Sequence, residues 1–189
     1  MIVCIILDDF EVKIKKYTKE RRNGMDRAVR RDVLAIDVAK HIIDFCSKQE
    51  EQVPVSNIKL QKLLYLVYGG YCLDNEEVLF GELFQAWQYG PVVASVYDEF
   101  CFFAGAHICL TDEPPALPEC ITTAIDPVIE KNMRREVFDL VEETHRPGSA
   151  WYKAVQQGGG VKNHPILSIE DIIEEFRERR DNHGISSAL

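Results

Sequence analysis

From Ser56 to Tyr71 the chain carries apolar residues at the spacing of one helical face: Leu60, Leu63, Leu64, Val67 and Tyr71. Positions i, i+3, i+4 and i+7 stack along one side of an α-helix, and such a face has to be buried against other elements. Ser56 or Asn57 supplies a good N-cap. Lys59 and Lys62 fall off the stripe, so they are expected to be exposed or to snorkel at its edge. Gly69-Gly70 stands where the helix would otherwise continue. Glycine inside a helix costs about 1 kcal/mol against alanine, so the pair implies close packing against another element, or a bend.

About twenty residues on, Ala86-Trp87-Gln88-Tyr89-Gly90-Pro91-Val92 runs an aromatic stretch into a Gly-Pro step. Pro91 at the first helical position predicts a helix through Phe100 and beyond, since its missing N–H is harmless there. Gly105 is a suitable residue to follow its end. Between the two motifs, Val78 to Tyr89 reads as two short strands or one irregular one. An earlier helix runs from Val33 to Ser47, with Ile36, Ala39, Ile43 and Cys46 on one face. Residues 110–127 hold four of the eight prolines and read as an exposed connection with one strand at Ile121–Ile125. Asp126-Pro127 then predicts a helix start, with Ile129, Met133, Val137, Leu140 and Val141 inward and Pro147-Gly148 as its end. Ser149 caps a short helix through Val155, anchored by Trp151. Gly158-Gly159-Gly160 is a break, and Ser168 with Asp171 resembles a capping box for a final helix containing Ile169, Ile172, Ile173 and Phe176. The expected fold is mainly α, about five to six helices with a small β element in the middle. No strand–helix alternation points to a parallel α/β sheet.

The chain has 189 residues and is 46% hydrophobic, enough for one domain with appended sequence. Residues 1–31 read as an appendage, with Met25 an alternative natural start; 32–180 form the helical domain, and 181–189 a frayed tail. No apolar run reaches the ~18 residues of a membrane helix, and the apolar start is too short for a secretory signal. The location expected is the cytoplasm, with no membrane contact. Most of the six cysteines lie among apolar residues and read as reduced, buried thiols. Cys101, His107, Cys109 and Cys120 match no zinc spacing, so no metal is expected.

The net charge of −9 is unevenly spread. Met1 to Ala35 carries nine Lys/Arg against six Asp/Glu, a surplus of three that leaves −12 for the remainder. Between Leu63 and Glu130 eleven acidic residues meet no Lys or Arg. That segment is either a solvated acidic surface or a field that attracts a basic partner and repels nucleic acid. The chemistry is correspondingly plain. No phosphate loop, zincin or hydrolase motif is present. His145 with Glu142, at i and i+3, reads as a surface contact, and Gly158-Gly159-Gly160-Val161-Lys162 lacks the Ser/Thr of a nucleotide loop. No catalytic residue and no cofactor is expected.

Taken together, Lys59-Leu60-Gln61-Lys62-Leu63-Leu64-Tyr65 and Ala86–Val92 resemble the signature of the Panacea domain, the domain of SocA-like antitoxins and phage-associated GepA-like proteins. Ala35-Ile36-Asp37-Val38-Ala39, Tyr97-Asp98-Glu99-Phe100 and Thr144-His145 with Trp151 extend the resemblance over about Val33 to Phe176. Gln88 and Cys101-Phe102-Phe103 depart from it where relatives often carry basic residues. The resemblance implies a protein-binding module encoded beside a toxin gene, which neutralises that toxin by direct contact or delivers it to a cytosolic protease. The partner-binding residues expected, as interface or its scaffold, are Lys59, Gln61, Lys62, Tyr65, Trp87, Tyr89, Gly90, Pro91 and Tyr97. The acidic middle favours a toxin with a basic surface. The alternative is a winged helix-turn-helix regulator, supported electrostatically only by the basic stretch Lys13–Arg31. The number of copies in the working assembly is left open.

Overall fold

The long apolar segment folds as helix Asn57–Asp74, and it is buried on almost every side: thirteen of its eighteen residues are inaccessible. That makes it the axis of the domain rather than an amphipathic surface helix. The computed structural model describes residues 27–75 and 77–186. In order these form β1 (Ala28–Val29), α1 (Ala35–Ser47), α2 (Asn57–Asp74), β2 (Glu77–Val78), β3 (Gln85–Trp87), β4 (Gly90–Val92), α3 (Ala94–Phe100), α4 (Glu119–Asn132), α5 (Val137–Thr144), α6 (Ala150–Gln157) and α7 (Ile169–Ser186). The fold is mainly α, with seven α-helices among the described residues and two small strand pairs. Helices α1, α3, α4, α5 and α7, with β2 and β4, all pack directly on α2. The reading of residues 1–24 lies outside the described residues, as does the basic stretch Lys13–Arg31 up to residue 26.

Strand β1 lies parallel to β2, Ala28 opposite Glu77 and Val29 opposite Val78. Strands β3 and β4 form an antiparallel hairpin with Ala86 opposite Pro91. The backbone of β3 is also engaged on its other side, where Ala86 N–H donates to Pro165 O and Leu167 N–H donates to Phe84 O. Leu34 gives α1 no side-chain cap; the Glu82 carboxylate supplies one from across the fold, accepting from Ala35 N–H at 3.0 Å. Ser149 and Ser168 cap as expected, accepting from Tyr152 N–H and Asp171 N–H, both at 3.1 Å.

Several boundaries depart from the sequence pattern. Gly90-Pro91 does not start a helix: Gly90 takes φ +102, outside helical space, and Pro91 lies in β4. A two-stranded ribbon tolerates a proline that cannot donate, and α3 begins only at Ala94. Helix α3 then ends at Phe100 and passes into a 3-10 turn over Cys101–Phe103, so Gly105 does not follow its last turn. Ile121–Ile125 is not a strand. Ile121, Ile125 and Ile129 repeat at i, i+4 and i+8 as the buried stripe of α4, which begins after Pro118 and carries Pro127 inside it. The expected single helix to Thr144 breaks after Asn132 and resumes as α5 at Val137. Helix α7 continues past Arg180, which pairs with Asp74 at 2.7 Å. Of the five described cysteines, Cys46 and Cys72 are buried, and that burial raises each thiol to about 11. Cys101, Cys109 and Cys120 are exposed, contrary to the reading of most thiols as core. No helix among the described residues is long and apolar enough to cross a membrane.

The two adjacent glycines of α2 are not equivalent. A Cβ on Gly69 would meet the Phe176 ring at 2.2–2.4 Å, whereas one on Gly70 would touch only Val128 at 3.6 Å. The Phe176 ring is itself pinned edge-on by Tyr65 and covered by Arg179. Gly69→Ala is therefore expected to destabilise, because overpacking costs about 1–3 kcal/mol and exceeds the helix gain. Gly70→Ala is expected to stabilise by up to about 1 kcal/mol. Denaturant unfolding of the two variants checks the opposite signs.

Candidate partner-binding site

The first turns of α2 carry polar residues among the apolar ones, and these reach the second sequence motif. Asn57 Nδ2 donates to Tyr97 O at 3.0 Å, and Gln61 Nε2 donates to Asn57 Oδ1 at 3.3 Å. Gln61 Oε1 accepts from Val93 N–H at 3.0 Å, and Lys62 Nζ donates to Pro91 O at 2.7 Å. Asn57 and Gln61 share a helix face one turn apart and Lys62 stands beside it, so three side chains of α2 clamp the backbone from Pro91 to Tyr97. The clamp satisfies backbone groups that the hairpin leaves unpaired, which is what a buried segment requires.

Lys62 is 1% exposed, so the expectation of a surface lysine is wrong. Its ammonium lies between the hairpin and α5, and burial pushes its pKa well below the usual lysine value. Among the described residues no carboxylate pairs with it. Gly90 is required beside it on two grounds. Its φ of +102 disfavours any side chain, and a Cβ there would lie 2.6 Å from both Lys62 Nζ and Thr144 Oγ1. Lys59 is half-buried, and its pKa too is lowered by burial.

The hairpin is braced on its other side by aromatic residues. The Trp87 ring packs on Tyr97 (centroids 4.9 Å apart) and stacks on His164 (4.8 Å, interplanar angle 18°). Trp87 O accepts from Trp151 Nε1 at 2.8 Å, and Gln88 O lies 3.1 Å from His145 Nε2. The His145 ring lies over Trp151, with centroids 3.9 Å apart. His145 thus ties the end of α5 to the hairpin turn rather than pairing with Glu142. At the turn, Tyr89 is 53% exposed.

Tyr65, one turn beyond Gln61 on α2, belongs to a second polar cluster that involves α6 and α7. Its hydroxyl donates to Glu175 Oε2 at 2.7 Å, and the same oxygen accepts from Ala150 N–H at 2.8 Å. Arg179 pairs with Glu175 and Glu143, and Arg135 pairs with Glu143 at 2.6 Å. Burial, then the negative charge and hydrogen bond of Glu175, hold the Tyr65 hydroxyl well above the usual tyrosine range. Burial also pushes Glu143 up, but the guanidinium groups of Arg179, Arg135 and Arg146 outweigh it and keep its carboxyl below the usual range.

Of the nine residues singled out from sequence, Gln61, Lys62, Tyr65, Gly90 and Pro91 are buried, Lys59, Trp87 and Tyr97 are half-buried, and Tyr89 is exposed. All but Lys59 and Tyr65 meet in the clamp and the hairpin. Asn57, Trp151, His145 and His164 complete the assembly and were not among the nine. Asn57 was legible only as a cap, although its i, i+4 spacing to Gln61 marks one face.

The family model described as "Antitoxin SocA-like, Panacea domain" matches residues 60–152. The protein named Antitoxin SocA, from Caulobacter vibrioides (strain NA1000 / CB15N), is 31% identical over 151 residues, covering 71% of this chain and 77% of that protein. The chain belongs to the SocA-like antitoxin, Panacea domain family. The Panacea match opens in the first turn of α2 and ends in α6, so it spans both sequence motifs, the Gln61 and Lys62 arms of the clamp, and the Trp151 brace. No solved structure matches the chain significantly.

The buried ammonium gives this Panacea domain a pH signature. The folded chain disfavours the proton on Lys62 and the unfolded chain does not. Between the depressed folded value and the ordinary 10.5 the unfolded state therefore binds more protons, and stability rises with pH. Lys62→Met, which keeps the volume but not the charge, is expected to lose this rise when unfolding midpoints are compared from about pH 7 to 9.5. Gly90→Ala is expected to destabilise by about 1–3 kcal/mol through strain and overpacking.

Proposed function

We propose that this chain is an antitoxin that neutralises a cognate toxin by direct protein–protein contact, without chemistry of its own. The observation that carries the reading is the 31% identity to an antitoxin over most of both chains. The hairpin region is the proposed contact surface. Tyr89 is its exposed aromatic, with Trp87, Tyr97 and Lys59 at the margin. Tyrosine and tryptophan dominate interface hot spots. The buried members Gln61, Lys62, Tyr65, Gly90 and Pro91 act by holding that surface in place, so their substitution weakens binding through geometry rather than lost contact.

The partner fits a basic surface. The segment from Leu63 to Glu130, which includes the hairpin, has eleven acidic residues and no Lys or Arg. Complementary charge of this kind raises association rates more than final affinity. The setting is the cytoplasm, where a toxin and its antitoxin are made together.

The test is co-expression of the chain with the protein encoded beside it, followed by affinity capture and growth measurement. Stoichiometric capture of a protein that arrests growth alone and is harmless in the complex supports the reading. Capture of protease components without that protein points to delivery for degradation instead. The association rate is expected to fall about tenfold or more between low and physiological salt; a rate indifferent to salt removes the electrostatic part. Tyr89→Ala is expected to weaken the complex about tenfold or more while leaving the unfolding midpoint unchanged.

A further inference from the structure

Phe102 is 93% exposed, more than any other large apolar side chain among the described residues. It is not a loose end. The 3-10 turn after α3 is closed by Ala104 N–H donating to Cys101 O at 3.0 Å and Ala106 N–H donating to Phe103 O at 2.8 Å. The chain beyond is fixed by Ile108 N–H to Val55 O at 2.9 Å and by a β-bridge between His107 and Ser56. Phe103 meets the Phe102 ring edge-on, with centroids 6.3 Å apart at 83°, and packs its own ring against the core. Ala104 takes φ +46, a region that costs a non-glycine residue about 1 kcal/mol or more and persists only where its surroundings enforce it. Cys101, Ala104 and Ala106, its neighbours in the chain, are exposed as well. The loop therefore holds a small apolar tip outward on a rigid support, and a rigid aromatic loses little conformational freedom on binding.

The charges beside this tip say what it meets. Asp98 and Glu99 stand four and three residues before Phe102, so the helix running into the turn carries both positions on the side nearest Phe102. Both are exposed, and among the described residues neither has a basic partner. We infer that Phe102, flanked by Asp98 and Glu99, is the docking anchor for a protein partner that offers an apolar pocket rimmed by Lys or Arg. A second copy of this chain meeting tip to tip would bring four carboxylates together, which disfavours self-association there. The inference rests on the antitoxin reading for the identity of the partner and adds the place and chemistry of a contact separate from Tyr89.

Incorporation of p-benzoylphenylalanine at position 102 of the full chain, irradiated in cells that also make the neighbouring toxin, tests this. Position 138, an exposed phenylalanine on α5, is the control. The expected result is one adduct from position 102, joined to a toxin peptide bearing Lys or Arg, and reduced about tenfold by Asp98→Lys with Glu99→Lys. Phe102→Ala, at a site that contributes nothing to the core, is expected to weaken toxin binding about 30-fold with no change in unfolding midpoint. Absence of an adduct at 102, equal yields at 102 and 138, or an adduct to a second copy of the chain overturns the anchor. The toxin reading is judged separately, by growth rescue with the unmodified chain. If rescue fails, a single charge-sensitive adduct at 102 to a different basic protein upholds the anchor and removes the toxin.

Discussion

The interaction on which the rest of the structure depends is the reach of three α2 side chains to the backbone of Pro91–Tyr97. Asn57, Gln61 and Lys62 convert an irregular segment, interrupted by Gly90 and Pro91, into a fixed ledge on the central helix. Each bond alone contributes about 0.5–1.5 kcal/mol, but a buried group left unpaired costs more than its partner had supplied. The clamp is thus specific in a way that apolar packing is not. A shift of one residue in β4 would leave Lys62 buried without its acceptor and the Gln61 carbonyl without its donor. The hairpin, α3 and everything placed by α3 take their position from this register.

One turn further along α2, the same device is used with charges. Glu175 accepts from Tyr65 on α2 and from the first N–H of α6, while Arg179 links α7 to Glu143 on α5. Buried ion pairs are a weak source of stability but a strong constraint on geometry once every arm is filled. Tyr65 joins this second cluster to the aromatic centre it forms with Tyr68, Phe80 and Phe84. An apolar core alone would permit α2 to rotate; polar anchors at successive turns, each with a fixed partner, do not.

Much of this was legible in the sequence, and the failures have identifiable causes. The apolar spacing of α1 and α2 and the serine caps of α6 and α7 were readable because each depends on a few neighbouring residues. The burial of Lys62 was not, since the carbonyl that receives it lies 29 residues away. Gly90-Pro91 looked like a helix start because local rules place proline at N1; here tertiary hydrogen bonds and a positive φ select a strand. Pro127 misled in the same way, with the Ile121, Ile125 and Ile129 stripe outweighing the proline. At the candidate site the two motifs were recognised separately, whereas their direct contact appears only in three dimensions.

The hairpin has one further property. Ala86 N–H and Phe84 O are engaged by Pro165 and Leu167 on the outer side of β3. On the outer side of β4, Pro91 has no N–H, its carbonyl is taken by Lys62, and Val93 N–H is taken by Gln61. Neither edge of this hairpin is open to an incoming strand, so recognition by strand addition, which reads backbone and tolerates many sequences, is closed here. A partner at the proposed surface would be read through side chains. Partner choice can then change by substitution at a few exposed positions, with the clamp and the core beneath them untouched.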